Sequence, residues 1–398
     1  MSKLKPLDGI TIIAIEQYGA GPYGSAYLAD LGANVIKIEQ PQMGGDVSRQ
    51  TGPFFIAEND SYFYQTFNGN KHSLGIDLKT KEGTAIFHQL VSNADAVTNN
   101  LRGDQAVKLG LDYQSLKHIN AKIVCGHLSA YGRDNDRASW PGYDYLMQAE
   151  AGLMSLTGEA DTPPTRFGVS MVDFMTGSVA SMGLLAGIIG AGKTGQGCDV
   201  DVSLFDVALH QLSYLSSWYF NCQHITERMP RSAHPAAVPC QLYKTADGYI
   251  FIMAMTDKFW RILVNQLGTA ELDNELFAST SLRSQHRDQI QQLLDKIFSK
   301  ENTSHWIGML QGKIPCAAVN SFESALNNPY IERIGMVQSV DHHSGKRVTK
   351  LANPIKIDNQ RLSTTAAEAL GASTDSILLE LGLTLEQIRK LRLLEVII

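Results

Sequence analysis

ITIIAIEQYGAGPYGSAYLADLGANVIKIE, residues 10–39, decides the fold. Residues 10–15 are a short apolar run rich in β-branched side chains, the pattern of a strand buried on both faces of a parallel sheet. The turn Gly19-Ala20-Gly21-Pro22-Tyr23-Gly24 follows, and Pro22 suits the first turn of a helix. The helical stretch ends near Leu31-Gly32, and residues 34–38 form a second strand closed by Glu39. Strand, helix and strand make a βαβ unit. The turn also matches G-x-G-x-x-G with an acidic residue about 20 positions on, the dinucleotide fingerprint, so an NAD-dependent oxidoreductase is one reading. Tight strand-to-helix turns need glycine for other reasons, so the match alone does not select that reading.

Working outward, strands and helices keep alternating. Residues 68–79 read as a turn, a strand and a basic end; residues 80–92 are an amphipathic helix and residues 96–99 another strand. Asn100-Leu101-Arg102-Gly103 opens a loop, residues 123–127 are strand-like, and Ser129-Ala130-Tyr131-Gly132 follows them. In open α/β sheets ligands bind at such strand ends. Lys79, Arg102 and Lys108 could gather there around a phosphate-rich ligand; taken singly, each is an ordinary solvated charge. Residues 199–204 alternate as a strand does, and residues 208–219 read as one helix. The Pro-rich segment 228–239 reads as a connection to a smaller α+β unit. Short strands from about residue 337 and two helices near 376–381 and 385–394 finish the chain. The expected layout is α/β: a large Rossmann-like domain over residues 1–220 and 331–398, and a small α+β domain over 221–330.

RFGVSMVDFMTGSVASMGLLAGIIGAG, residues 166–192, carries one carboxylate, Asp173, directly before a long uncharged run. Its many small residues let other backbone approach closely, and the N–H groups of its first turn lack helical partners. An anion or a developing negative charge could use those groups. The plainer role for Asp173 is that of an N-cap. The apolar run approaches the roughly 20 residues of a membrane span, but Thr176, Ser178, Ser181 and five glycines dilute it, so a buried helix in a soluble core is expected.

The net charge of −6 and the absence of a Lys/Arg block argue against a nucleic-acid binder. Cys125, Cys198, Cys222, Cys240 and Cys316 are odd in number and widely spaced, so neither a disulfide frame nor a metal site is expected, and a reducing cytoplasm is the simplest location. The start, MSKLKPLDG, does not read as a secretory signal.

Nearly end to end, the chain resembles the class III CoA-transferases, the CaiB/BaiF-like family of formyl-CoA and carnitine CoA-transferases. The resemblance is carried by PLDGITIIAIEQYGAGPYG, LGANVIKIEQP followed by GGDVSR, NGNKHSLGIDLKTKEG, PGYDYLMQAEAGLMSLTG, PPTRFGVSMVDFMTG, TGQGCDVDVSLFDVAL, ADGYIFIMAMTDKFW and NPIKI, in that order. It implies a homodimer of two interlocked subunits and transfer of CoA from an acyl-CoA to a free carboxylic acid. In it, the nucleophilic aspartate falls on Asp173. Positions resembling the family's CoA contacts are Gly19, Ala20, Gln40, Leu78, Lys79, Asn100, Leu101, Arg102, Lys108, Ser129, Ala130 and Tyr131. Gln40 stands where some relatives have an arginine, and Ser129 where the formyl-CoA transferase has a lysine. The glycine run of that enzyme's smaller domain corresponds here to His234-Pro235-Ala236-Ala237-Val238.

Two rivals remain within this reading. An α-methylacyl-CoA racemase has the same fold and carries a histidine in a Gly-His-Asp segment; here the segment is Gly142-Tyr143-Asp144, and a tyrosine with a reference pKa of about 10 is a poor proton shuttle. His127 and His234 are the remaining candidate bases. A non-catalytic CoA-binding protein would bind the cofactor without exchanging it.

Overall fold

The computed structural model describes residues 5–398. The first fingerprint folds as expected: β1 (Thr11–Ile15), α1 (Ala20–Asp30) and β2 (Asn34–Glu39). A small hairpin of β3 (Phe55–Ala57) and β4 (Asp60–Ser61), then α2 (Tyr62–Phe67), precedes β5 (Lys71–Gly75). Next come α3 (Lys81–Asn93), capped by the Thr80 hydroxyl, β6 (Ala96–Asn99), α4 (Tyr113–Leu116) and β7 (Val124–Ser129). They are followed by α5 (Asp144–Glu150), α6 (Met171–Thr194), β8 (Cys198–Ser203) and α7 (Leu204–His210).

The six long strands form one sheet in the order β5-β2-β1-β6-β7-β8, every pairing parallel. Counted along the chain, this is the 3-2-1-4-5-6 order of the doubly wound dinucleotide fold. Alternate side chains leave the sheet on opposite faces. Ile12, Ala14, Val35 and Val124 join one core layer with Leu28 of α1 and Leu184 of α6. Ile13, Ile36, Leu74 and Val97 join the other with Ile86 and Leu90 of α3 and with Ile377, Ile388 and Ile397 from the C-terminal end.

The chain groups into two compact units. The larger comprises the described residues of Met1–Ala151, Gly168–Gln211 and Pro329–Ile398, so both chain ends build it. The smaller comprises Gly152–Phe167 and Leu212–Asn328, taking in segments 152–167 and 212–220 that the sequence boundaries had assigned to the larger domain. Between residues 208 and 219 the expected single helix is broken: α7 stops at His210, and α8 (Ser213–Cys222) starts at Ser213 with a positive φ of 49°. The smaller unit is an antiparallel sheet, β9 (Cys240–Lys244), β10 (Tyr249–Met253) and a third strand at Cys316–Ala318. Its core sets Tyr243, Ile250 and Ile252 against Trp260, Leu294, Phe298 and Trp306.

The long helix α6 corrects one expectation. Its composition predicts burial in a core, yet only 22% of its most apolar stretch is buried in the single chain. By length and composition it could cross a membrane. Its sheet-facing side packs closely all the same: a Cβ on Gly187 would lie 2.7 Å from Val124, and one on Gly183 would lie 2.8 Å from Val200.

Candidate active site

The strand order reverses between β1 and β6. Loops leaving these two strands therefore diverge and open a crevice at the carboxyl edge of the sheet. A cavity of about 230 Å³ lies there. Gly19 and Ala20 reach it from the end of β1, Asn100, Leu101 and Arg102 from β6, and Ser129 and Ala130 from β7. Asp173 enters from the start of α6.

Two glycines bring Asp173 to this point. A Cβ on Gly177 would stand 2.4 Å from the Ala20 carbonyl, and one on Gly24 would stand 2.5 Å from the Gly177 carbonyl. Neither helix tolerates a side chain at the crossing, so α1 and α6 touch backbone to backbone. Asp173, about one turn before Gly177, then lands at the N-terminus of α1. Its Oδ2 is 3.3 Å from where a Cβ on Gly19 would be. The next residue, Phe174, stacks on Tyr23 of α1 at 4.7 Å between ring centres, which seals that side with aromatic surface.

Asp173 does not cap its helix. The N-cap is Ser170, whose side chain makes no capping bond. The cap comes from α5: the Asp173 N–H donates to Asp144 Oδ2 at 3.0 Å, and Gln148 holds the other Asp144 oxygen at 2.6 Å. Among the described residues no donor reaches the Asp173 carboxylate. Burial, and secondly the negative charge of Asp144, push its pKa up to about 7. Of the two opposing influences on a carboxylate at a sheltered helix start, burial prevails, and the Asp144 carboxylate takes up the Asp173 N–H.

The other sequence-predicted residues, Gln40, Leu78, Lys79, Lys108 and Tyr131, do not line the cavity. Lys108 Nζ and Arg102 Nε both bind Asp104, each at 2.6 Å, so two cations meet one carboxylate at the rim. Tyr131 packs edge-on against Trp140, a lining residue, and donates its hydroxyl to Glu150 at 2.7 Å. Gln40 stands half-exposed at the end of β2, and Lys79 is exposed beyond β5. Leu78 packs on the core beside α3. Sequence reasoning missed Gln17, Tyr18, Trp140 and Leu204 as lining residues. It saw Gly142-Tyr143-Asp144 as a motif but not that Asp144 holds the first turn of α6. A larger hollow of about 740 Å³ lies within the smaller unit, where Arg231 is paired with Asp295 at 2.6 Å.

The geometry argues against both rival chemistries. The acidic residue of the dinucleotide fingerprint, Glu39, is 2% exposed and held by Arg49 through two bonds of 2.7 Å, so it cannot receive a ribose. His127 is bonded on both ring nitrogens, to Asn99 and to Asp199, each at 2.9 Å. His234 accepts two backbone N–H groups at 3.0 Å. Neither nitrogen of His127 is free to act as a base, and the Nδ1 of His234 is occupied. Asp60, His342 and His343 have a spacing that could hold a metal, but His342 Nε2 is engaged by Asp60 at 2.9 Å and its Nδ1 by the Ser344 N–H.

Residues 7–374 match the model of CoA-transferase family III. The chain is a member of that family. It is 33% identical to a succinate–glutarate CoA-transferase of Agrobacterium fabrum, over 88% of this chain and 89% of the relative. It is 30% identical to the human succinyl-CoA:glutarate CoA-transferase, over 96% of this chain and 87% of that protein. A crystal structure of a CaiB/BaiF family protein from Brucella suis superposes with a TM-score of 0.80 at 30% identity, covering 95% of this chain and all of the other. The protein is thus a class III CoA-transferase, and its co-substrate is a CoA thioester.

Proposed function

We propose that this CoA-transferase works through Asp173 as covalent carrier. The observation that carries the reading is a lone carboxylate without a donor, set in the crevice at the switch point of the sheet and beside the start of α1. In the first step an Asp173 oxygen attacks the thioester carbonyl and expels CoA thiolate, leaving a mixed anhydride. The thiolate then attacks the aspartyl carbonyl; the first acid leaves with the bridging oxygen, and Asp173 is left as a CoA thioester. The second acid attacks that thioester to re-form an anhydride and thiolate. Thiolate attack on the new acyl carbon yields the product and restores the Asp173 carboxylate. No net proton or water is consumed, so a sheltered carboxylate suits the task. The Gly19 and Ala20 N–H groups at the start of α1 are the donors we assign to the developing oxyanion.

For the extended cofactor, Gly19, Ala20, Asn100, Leu101, Ser129, Ala130 and Tyr131 would flank the pantetheine arm. Arg102, Lys108 and Lys79 would meet the phosphates, with Gln40 and Leu78 toward the adenosine. Small dicarboxylic acids are the proposed acyl partners, supported by the names of the relatives. We also propose an interlocked homodimer in the cytoplasm. The uncovered apolar side of α6, where Met182 is 63% and Ile189 59% exposed, supports a second copy covering it. Five cysteines, none in a disulfide among the described residues, support the location.

The test is intact-mass measurement after mixing the enzyme with succinyl-CoA and no acceptor acid. A CoA adduct on the peptide containing Asp173, absent from Asp173→Ala, is expected. Ready exchange by Asp173→Ala, or an adduct on another residue, would overturn the assignment.

A further inference from the structure

Six ionisable side chains lie out of solvent behind the crevice: Glu16, Glu39 and Asp46, with Lys37, Arg49 and Lys71, none more than 5% exposed. None of them lines the cavity, and the transfer chemistry uses none of them. Three acids balance three bases, but the cluster is not uniform. Its far half is bound chiefly by side chains, although Glu39 also accepts the Asp46 N–H at 2.9 Å and Arg49 donates to the Glu368 carbonyl at 3.1 Å. Glu39 takes two bonds from Arg49, one from Ser73 Oγ at 2.7 Å and one from Tyr64 Oη at 3.2 Å.

The near half is aimed at backbone. Asp46 Oδ1 accepts the Tyr18 N–H at 3.0 Å, while its Oδ2 is paired with Lys37 at 2.8 Å. Lys37 also donates to the Glu16 carbonyl at 2.9 Å. Lys71 bridges Glu16 Oε1 and the Pro22 carbonyl, both at 2.9 Å. The turn between these anchors is the one that presents Gly19 to Asp173. It runs through a left-handed Tyr18, φ 67°, a conformation that a bulky residue keeps only when its surroundings impose it.

A buried ion pair is weak evidence for stability, because desolvation offsets much of the Coulomb gain. Its charges can still fix one geometry. We infer that Asp46 and Lys71 are positioning residues for the transfer reaction: they clamp the two ends of the Tyr18–Pro22 turn, so that the start of α1 stays registered on the nucleophile. The inference rests on Asp173 being the carrier. Displacement of the turn by about 1 Å would cost on the order of a hundredfold in rate without weakening capture of the distant nucleotide end.

The experiment measures single-turnover formation of the Asp173–CoA adduct from succinyl-CoA, together with Tm and KM. Asp46→Ala removes the acceptor of the Tyr18 N–H, which also serves the Ser48 N–H and hydroxyl, and should slow adduct formation about tenfold to a hundredfold, with KM for succinyl-CoA changed less than about threefold. Asp46→Asn, which keeps an acceptor oxygen, should recover part of the rate. Tyr64→Phe, at the far half, should lower Tm and leave the rate unchanged. If Asp46→Ala does not fold, Asp46→Asn decides: a slowed adduct in a folded enzyme supports the inference, and a wild-type rate overturns it. Equal slowing in Tyr64→Phe also overturns it, since the effect would then follow stability. Failure of wild type to form any adduct would instead remove Asp173 as carrier, a result distinct from the others.

Discussion

Two carboxylates in the same unit, Asp173 at the start of α6 and Glu39 at the end of β2, are both withdrawn from water and behave in opposite ways. Burial raises the pKa of each. At Glu39 the hydrogen bonds and charge of Arg49, with the nearby Lys37, outweigh burial and leave the carboxyl below its usual range. At Asp173 nothing compensates, and the neighbour is another acid. A buried acid with every lone pair occupied holds the fold together; one left without donors keeps its lone pairs free, as the carrier role proposed for Asp173 requires. Sequence composition does not separate these cases, because both residues are single acids in apolar surroundings. Only the partners do.

The largest effect expected from that contrast is on catalysis. Asp173→Asn should lower CoA exchange by at least about a thousandfold while the variant stays folded and binds CoA. Its stability should change with the opposite sign to that of most core substitutions. The native carboxyl titrates near pH 7 and the unfolded one near pH 4, so the native state binds the extra proton between them. Wild-type stability is therefore eroded as pH rises through that window, and the asparagine variant should gain in Tm over wild type at pH 8 but not at pH 4.

Glu39→Gln should do the reverse. Removing one member of a buried pair leaves Arg49 uncompensated, at a cost of about 3–5 kcal/mol by urea unfolding. Because the Glu39 carboxyl is depressed, its contribution is present above the unfolded pKa of about 4.3 and is lost as pH falls below it. The Tm deficit of Glu39→Gln should accordingly shrink in acid. A deficit independent of pH would show that charge pairing is not what Glu39 supplies.

Next in size is Gly177→Ala. Its new methyl would meet the Ala20 carbonyl, and overpacking of this kind costs about 1–3 kcal/mol. Activity should fall further than stability, because parting α1 from α6 draws Asp173 away from Gly19. An enzyme that loses Tm but keeps its kcat would detach the helix crossing from the chemistry.

The smallest effect is on the pH profile. kcat/KM should fall toward acid with a midpoint near pH 7, as the proposed nucleophile Asp173 protonates. Asp144→Asn keeps an oxygen for the Asp173 N–H but removes the negative charge, so the midpoint should move to lower pH. The movement is partial, because burial is the greater cause.

Much of this architecture was legible in the chain. β-branched runs at regular spacing gave the parallel strands, and β1 and β2 were readable to within a residue, while residues 20–24, read as part of a turn, instead open α1. The small residues of α6 announced a close helix crossing, which Gly24 and Gly177 make. The break before Ser213 was not legible, because residues 208–219 contain no Gly or Pro and the interruption is a backbone matter. The exposed side of α6 escaped notice because an apolar sequence says only that something covers it. At the site, motif resemblance pointed to Asp173 and its loops, while Asp144 was seen only as a letter in a neighbouring motif. Its role depends on α5 meeting the first turn of α6, a long-range contact with no local signature.

The most direct test of the central claim follows heavy oxygen. The enzyme is turned over with succinyl-CoA and glutarate labelled on both carboxylate oxygens of each carboxyl, then digested. The scheme passes the bridging oxygen of the anhydride from the acid to the aspartyl side chain. The peptide containing Asp173 should therefore become heavier, and glutaryl-CoA should retain one label at its thioester carbonyl. Glutaryl-CoA formed at the normal rate with an unlabelled Asp173 peptide would contradict covalent transfer through this carboxylate.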